Sequence, residues 1–169
     1  VPTGGEVDTS MTPLEYRQLL EICDAKYKAY KKAGCKTYFN KKDHLWTLYE
    51  YENGEFILPE SAKKGMIYGG CNCGNCHITI SSNGDVMACR RVMDSKVANI
   101  FEERLADIWI SQMEQYRDYD RFTKCSKCEL KAWCRGCPAV ANGTSGDYYA
   151  PDPQCWKVKN DITGELLTN

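Results

Sequence analysis

The segment CSKCELKAWCRGCP, residues 125–138, places four cysteines within 13 residues and decides the expected fold. Cys125 and Cys128 form a C-x2-C pair, and Cys134 follows after a spacer of only five residues. A structural zinc ribbon separates its two C-x2-C pairs by about 12 to 20 residues, because each pair forms its own turn. Crowded thiols are instead typical of loops that wrap an iron–sulfur cluster, where thiolates are the normal ligands. The segment therefore predicts a cluster-binding loop.

Nine of the 11 cysteines lie between residues 71 and 155, a density expected of disulfide scaffolds or metal-bearing chains. They are Cys71, Cys73, Cys76, Cys89, Cys125, Cys128, Cys134, Cys137 and Cys155. The odd total excludes a fully paired disulfide framework. The chain starts without an initiator Met and without a secretory signal pattern, which predicts a fragment or processed product. We therefore expect reduced thiols in a cytoplasmic metal-binding or cluster-binding protein, and we disfavour a secreted disulfide protein.

The remaining composition is that of a soluble globular protein, with 43% hydrophobic and 27% charged residues and a net charge of −1. Nucleic-acid binders normally carry a basic excess, so we expect no nucleic-acid partner. No apolar run approaches the ~20 residues of a membrane helix, so we expect no membrane span.

The first half of the chain predicts a helix and a β-hairpin. Thr12-Pro13-Leu14-Glu15 has the pattern of a capping box, and Gly34 suits the helix end. The expected buried stripe of this helix is Tyr16, Leu19, Leu20, Cys23, Tyr27 and Tyr30. We interpret Cys23 as a core thiol on that stripe and Cys35 as a structural thiol.

Leu45–Tyr51 is rich in strand-forming residues and predicts a strand. Asn53-Gly54 then indicates a hairpin turn that leads into residues 56–58. Neither His44 nor His77 lies in a pattern that suggests a catalytic triad, so we favour a surface or packing role for both.

A second hairpin is predicted between residues 77 and 89. Residues 77–81 alternate as a strand, Asn83-Gly84 is a candidate type I′ turn, and residues 86–89 form the returning strand. Such a hairpin would bring Cys89 back beside the cysteines at 71–76. A helix is then expected from Asn99, with a core-facing stripe of Leu105, Ile108, Trp109, Met113 and Tyr116.

Five cations lie within two residues of a candidate ligand: Arg90, Arg91, Lys124, Lys127 and Arg135. A cubane cluster with four thiolates is negatively charged, and buried negative charge needs compensation. We therefore expect some of these cations to provide it, although each one alone is as readily an ordinary solvated side chain.

The order of these motifs resembles the SPASM domain, a C-terminal extension of radical S-adenosylmethionine (SAM) enzymes. The motifs are Cys71, Gly84-x4-Cys89, Asn99-Ile100, Leu105-x2-Ile108-Trp109, Cys125-x2-Cys128-x5-Cys134, Cys137, Gly146-Asp147 and Asp152-Pro153-x-Cys155. The resemblance implies an α+β fold with a SPASM domain over 69–160 and a tail over 161–169. Residues 1–68 then resemble the end of the partial TIM barrel of the radical SAM core, followed by a linking segment.

The resemblance also implies two auxiliary 4Fe–4S clusters. Cys125, Cys128, Cys134 and Cys155 would hold the second cluster. Cys89 and Cys137 would hold the first together with Cys71 and Cys76, with Cys73 as the alternative. Family members usually have three residues between the cysteines equivalent to Cys134 and Cys137, whereas this chain has two, which leaves the role of Cys137 open.

The chain contains no C-x3-C-x2-C triplet, the motif that holds the SAM-cleaving cluster of the radical SAM core. We therefore expect SAM and a third cluster in an upstream barrel, and a reductant such as flavodoxin or ferredoxin. Many enzymes of this kind modify ribosomally made peptides or proteins, so we expect a peptide or protein substrate, a cysteine-rich peptide among the candidates. The auxiliary clusters would serve electron transfer or substrate binding.

No catalytic acid or base can be assigned from the sequence. Asp147 and Asp152 are candidates only because the family keeps acids nearby, and Asp152 more readily begins the Asp-Pro turn that positions Cys155. The alternative function is a zinc-binding four-cysteine interaction module with no redox role.

Overall fold

A computed structural model describes residues 11–157 of the protein. Its helices are α1 (Pro13–Lys32), α2 (Leu45–Glu52), α3 (Leu105–Ile110) and α4 (Pro138–Ser145). Its strands are β1 (Thr79–Ile80), β2 (Asp85–Met87) and β3 (Lys96–Asn99), which form one antiparallel sheet in the order β1-β2-β3. Short 3-10 helices cover Met93–Ser95, Gln112–Arg117, Tyr119–Arg121 and Cys125–Lys127. The predicted α+β class is confirmed, and the predicted tail at 161–169 lies outside the described residues. None of the helices in residues 11–157 is both long and apolar enough to span a membrane.

Helix α1 begins and ends where the sequence predicts. The Thr12 hydroxyl accepts the Glu15 N–H at 3.3 Å, and the Glu15 carboxylate accepts the Thr12 N–H at 2.8 Å. At the other end Gly34 takes a left-handed φ of +81°, and the Cys35 N–H bonds to the Tyr30 carbonyl at 3.0 Å. These bonds satisfy the backbone groups that the helix ends leave unpaired.

The predicted buried stripe of α1 is wrong in part, because Cys23 is exposed and is no core thiol. Leu20 and Asp24 are the buried residues of the helix. These two residues are four positions apart and lie on the same face of the helix. Because Asp24 is charged, a search for hydrophobic residues does not detect this face. Cys35 is half-buried just beyond the end of α1.

Residues 45–58 do not form the predicted hairpin. Leu45–Glu52 is helix α2, and Leu45, Leu48 and Tyr49 are buried at helical spacing. Asn53-Gly54 ends this helix: Gly54 has a φ of +71°, and the Glu55 N–H bonds to the Glu50 carbonyl at 2.8 Å. Because a glycine with positive φ serves both a hairpin turn and a helix C-terminus, the dipeptide does not distinguish them.

The second predicted hairpin forms, with Thr79 opposite Met87 and Ile80 opposite Val86. Its turn is not type I′, which needs two consecutive residues of positive φ. Only Gly84 has one, at +85°, and its N–H bonds to the Ser81 carbonyl at 3.0 Å. The expected helix start at Asn99 is also wrong, because Asn99 ends β3 and α3 starts at Leu105.

Two apolar cores hold the chain together. The first core joins the sheet to α3 and α4 through Val86, Ala88, Val92, Ala98, Ile108, Met113, Tyr116, Phe122, Ala139 and Tyr148. The second core joins both N-terminal helices to the cysteine-rich loop through Leu20, Leu45, Leu48, Tyr49, Leu130 and Cys134. Three residues of the predicted 105–116 stripe are buried, while Leu105 is largely exposed. The second core therefore draws on residues from both sides of the predicted boundary at 68–69.

Asp24 clamps α1 to the segment before α2. It is 3% exposed, and its carboxylate lies 2.6 Å from the Lys28 ammonium and 3.2 Å from that of Lys41. Lys41 also contacts Glu50 of α2 at 2.8 Å. Burial would raise the pKa of Asp24, but the hydrogen bonds from Lys28 and Lys41 outweigh it and lower that pKa.

Asp24→Asn is therefore expected to lower the free energy of unfolding at pH 7 by about 1–3 kcal/mol. Because the folded-state pKa is lowered, the contribution of the carboxylate is present above its unfolded pKa of about 3.9 and is lost as pH falls through the folded value. Urea unfolding at pH 7 and pH 3 measures the difference. The exposed pair of Asp120 with Lys131 gives a control, since Asp120→Asn should cost under about 1 kcal/mol. Equal destabilisation by Asp24→Asn at both pH values would contradict the expectation.

Candidate metal centre

Four cysteines converge on one cavity: Cys125, Cys128, Cys134 and Cys155. They line a cavity of about 440 Å³ whose walls also include Leu48 of α2 and Asp152. Burial raises the pKa of Cys125 and Cys134 to about 12 and that of Cys155 to about 11, and the neighbouring thiols add to each effect. The free thiols are thus protonated near neutral pH, and a metal bound here has to displace those protons. We call these four residues the 125–155 group.

The loop between Cys128 and Cys134 is anchored by its own Leu130, which is buried in the second core. The Cys134 N–H bonds to the Leu130 carbonyl at 2.7 Å, and the Cys128 N–H bonds to the Cys125 carbonyl at 3.1 Å. The five-residue spacer therefore forms one tight turn around the buried Leu130. Cys128 and Cys134, at the two ends of this spacer, line the same cavity.

A second group consists of Cys71, Cys73 and Cys89, which we call the 71–89 group. The Cys73 thiol hydrogen-bonds to both neighbours; this lowers the pKa of Cys71 and Cys89 and raises that of Cys73. The side chain of His44 also hydrogen-bonds to Cys71. The structure thus brings Cys73 against Cys71 and Cys89, while Cys76 is exposed. The choice between Cys73 and Cys76 as a ligand stays a prediction.

Cys137 is the N-cap residue of α4. Burial raises its pKa, and the nearby Cys71 raises it further. This proximity places Cys137 on the side of the 71–89 group, and its role as the closing ligand stays a prediction.

Backbone N–H groups point at most of these sulfurs from two residues further along the chain. The pairs are Cys71 with Cys73, Cys89 with Arg91, Cys128 with Leu130, Cys134 with Gly136, and Cys155 with Lys157. Each bond favours the thiolate, the form that binds metal.

Asp152 ties the loop of Cys155 to Cys137. Its Oδ1 accepts the Gln154 N–H at 2.9 Å and its carbonyl accepts the Cys155 N–H at 3.0 Å, so the predicted turn is confirmed. Its Oδ2 accepts the Cys137 N–H at 2.8 Å, a bond that no local pattern indicates. Burial raises the pKa of Asp152 against the effect of these donors. Gly136 permits the approach: its φ is +64°, and a Cβ there would lie 2.4 Å from the Asp152 Cβ.

Ser95 fixes the backbone of Cys89. Its hydroxyl accepts the Cys89 N–H at 3.1 Å and bonds to the Val92 carbonyl at 2.5 Å. Ser95 is buried, and nothing in its sequence context marks it as part of the site. Asp147 is exposed, and its Oδ1 accepts the Tyr149 N–H at 2.9 Å in the turn after α4.

The five predicted compensating cations differ in burial. Arg90, Arg91, Lys124 and Lys127 are exposed, whereas Arg135 is 2% exposed. The structure thus singles out Arg135 as the cation enclosed with the cysteines.

The donor set consists entirely of cysteines, which are the usual ligands of an iron–sulfur cluster. In residues 11–157, no three His, Cys, Asp or Glu side chains converge in the way that one metal ion needs. Zinc holds each thiolate at about 2.3 Å and so draws its ligands close together. A 4Fe–4S cubane carries four irons and four sulfides at alternating corners, so its thiolate ligands lie further apart, and its usual protein ligands are four cysteines.

Comparison with known proteins identifies the cysteine-rich region. Residues 71–138 match SPASM, an iron-sulfur cluster-binding domain. The AdoMet-dependent heme synthase of Nitratidesulfovibrio vulgaris is 27% identical over 164 residues, which cover 92% of this chain and 44% of the relative. That of Methanosarcina barkeri is 28% identical over 162 residues, covering 92% and 45%. The chain thus spans less than half the length of these relatives. No solved structure matches it significantly.

Proposed function

We propose that this chain, which carries a SPASM iron–sulfur cluster-binding domain of the radical SAM family in residues 71–138, holds two auxiliary 4Fe–4S clusters. The observation that carries the proposal is the separation of the cysteines into the 125–155 group and the 71–89 group. The first lines one cavity with four thiols. In the second, the Cys73 thiol hydrogen-bonds to those of Cys71 and Cys89, and Cys137 lies near Cys71.

Such clusters, when bound, supply one-electron transfer. The protein's part is to exclude water, to hold the thiolates with N–H donors and to balance the charge. Asp152 bonds to the backbone of Cys137 and of Cys155, and Ser95 bonds to that of Cys89, so part-buried hydrogen bonds hold both groups in addition to their own loops.

We further propose that SAM cleavage belongs to an upstream barrel, because the chain lacks the C-x3-C-x2-C triplet. The relatives are named heme synthases, which supports a porphyrin-type precursor of heme as the substrate of the whole enzyme. We therefore favour a porphyrin-type substrate over the peptide or protein substrate that the resemblance to the SPASM domain led us to expect. A flavodoxin or ferredoxin remains the proposed reductant.

The first test is anaerobic purification and reconstitution, followed by analysis of iron, sulfide and zinc. We expect a brown protein with about eight iron and eight sulfide per chain. Cys23→Ser is a control, because Cys23 is exposed on α1 outside both groups and its loss should leave the iron content unchanged. A colourless protein with stoichiometric zinc would instead support the zinc module.

The same preparation of the whole enzyme distinguishes the substrates. With SAM and a reductant, an iron porphyrin carrying carboxylate side chains should stimulate the formation of 5′-deoxyadenosine and change in mass. Stimulation by a cysteine-rich peptide alone would favour peptide modification and leave the cluster proposal intact.

A further inference from the structure

Arg135 is a buried cation without a carboxylate partner. Its Nη1 donates to the Lys131 carbonyl at 2.7 Å, and its Nη2 donates to the carbonyls of Gly69 at 2.9 Å and Cys71 at 3.3 Å. No carboxylate in residues 11–157 forms an ion pair with it. Because burying an unpaired charge is strongly unfavourable, this arrangement requires a negative charge nearby.

The surroundings of Arg135 are shaped around its guanidinium. Gly70 has a φ of +80°, and a Cβ there would lie 2.9 Å from the Arg135 Nη2. On another side the guanidinium carbon lies 4.6 Å from the centre of the Tyr119 ring. Aromatic faces attract cations, so the ring and the three carbonyls fix the position of the charge without neutralising it.

Arg135 lies beside both cysteine groups. It follows Cys134 of the 125–155 group in the sequence, and it donates to the backbone of Cys71 in the 71–89 group. Its Nη1 donates to the Lys131 carbonyl in the loop between Cys128 and Cys134, so the guanidinium also lies against the loop of the 125–155 group. One cation is therefore placed to compensate both groups.

Tyr119 has a buried hydroxyl without a partner. Within residues 11–157, its Oη is the one buried side-chain nitrogen or oxygen atom that lacks a hydrogen bond. The Tyr119 ring packs on the Arg135 guanidinium, which bonds to the Cys71 carbonyl, so the phenol lies near the 71–89 group. A buried O–H without an acceptor is unfavourable, and a thiolate or sulfide sulfur at this site would supply the acceptor.

We propose that Arg135 is the shared buried counter-charge of both clusters and that Tyr119 donates its hydroxyl to a sulfur of the first cluster. This inference rests on the proposed function, since it assigns roles toward the clusters proposed above. One-electron reduction adds a negative charge to a cluster, so a fixed cation and an O–H donor both stabilise the reduced state. Arg135 thus raises both reduction potentials and Tyr119 raises that of the first cluster.

The test is a redox titration of the reconstituted chain with dithionite, followed by electron paramagnetic resonance. Arg135→Gln should lower the ratio of reduced to oxidised cluster at a fixed potential at least tenfold for both clusters. For a one-electron couple this corresponds to a midpoint potential that is lower by about 59 mV. Tyr119→Phe should lower the midpoint potential of the first cluster only, so that its ratio of reduced to oxidised cluster at a fixed potential falls about threefold or more. Arg135→Lys keeps the charge and should stay close to the wild type.

Arg90→Gln is the matched control, because Arg90 also adjoins a candidate ligand, Cys89, but is exposed to solvent that screens its charge. It should shift the ratio less than twofold. If Arg135→Gln fails to fold, Tyr119→Phe decides, since it removes one oxygen and no hydrogen bond. Unchanged potentials in Tyr119→Phe and in every loaded Arg135 variant would overturn this inference alone. A wild-type chain without iron would overturn the proposed function and this inference with it.

Discussion

Replacing Cys134 with serine is expected to lower the iron content of the reconstituted chain from about eight to about four atoms. Cys134 is the most buried of the candidate ligands, at 7% exposure, and it belongs both to the cavity of the 125–155 group and to the second apolar core. A serine hydroxyl is a poor iron ligand, so the cluster of the 125–155 group should not assemble. The remaining cluster should belong to the 71–89 group.

The matched controls use the same substitution at other cysteines. Cys76→Ser should leave about eight iron atoms, because Cys76 is exposed, whereas Cys73→Ser should leave about four. Iron analysis together with the spin count of the reduced protein measures these numbers. Retention of all iron in Cys134→Ser would contradict the assignment of the 125–155 group. Loss of iron in Cys76→Ser would show that Cys76, the ligand implied by the resemblance, and not its alternative Cys73, holds the first cluster.

Gly136→Ala is expected to destabilise both cysteine groups together. The left-handed φ of +64° costs an alanine about 1–2 kcal/mol. The new Cβ would also lie 2.4 Å from that of Asp152, which has to move away from Cys137. Loss of the buried bond from the Cys137 N–H adds about 1–3 kcal/mol, so the total is about 2–5 kcal/mol.

Gly146→Ala is the control for this change. Gly146 has a similar φ of +75°, but a Cβ there meets nothing within 4 Å. It should therefore cost only the conformational part, about 1–2 kcal/mol. Anaerobic urea unfolding, followed by cluster absorbance and circular dichroism, compares the two variants. Equal urea midpoints for Gly136→Ala and Gly146→Ala would show that the approach of Asp152 to Gly136 does not contribute to stability.

Signals that the sequence carries locally predicted their elements well. The capping box at Thr12 and Glu15, the glycine at the end of α1 and the hairpin before Cys89 all depend on neighbours a few residues apart. The predicted strand at 45–51 was wrong because its apolar residues pack, at helical spacing, against Leu20 and Leu130, which are distant in sequence. Asp24 was hidden by its charge, since a hydrophobic stripe does not include a buried carboxylate.

The site was predictable in its cysteines and not in its supporting contacts. The resemblance to the SPASM domain implied the four thiols that the structure brings to one cavity. The bonds of Asp152 to Cys137 and of Ser95 to Cys89 join loops through side chains without a spacing rule. Of the five cations beside candidate ligands, only the packing of residues 69–71 against the loop distinguishes Arg135.

The second apolar core has a thermodynamic consequence. Leu20 of α1 and Leu48 of α2 share it with Cys134, so opening the cysteine loop also exposes the face on which these helices pack. A group that binds only the folded loop stabilises everything that unfolds with it, by mass action. Amide hydrogen exchange in α1, a helix with no candidate ligand, is therefore expected to slow when the loop is loaded. The helix becomes a remote reporter of occupancy at the cysteines.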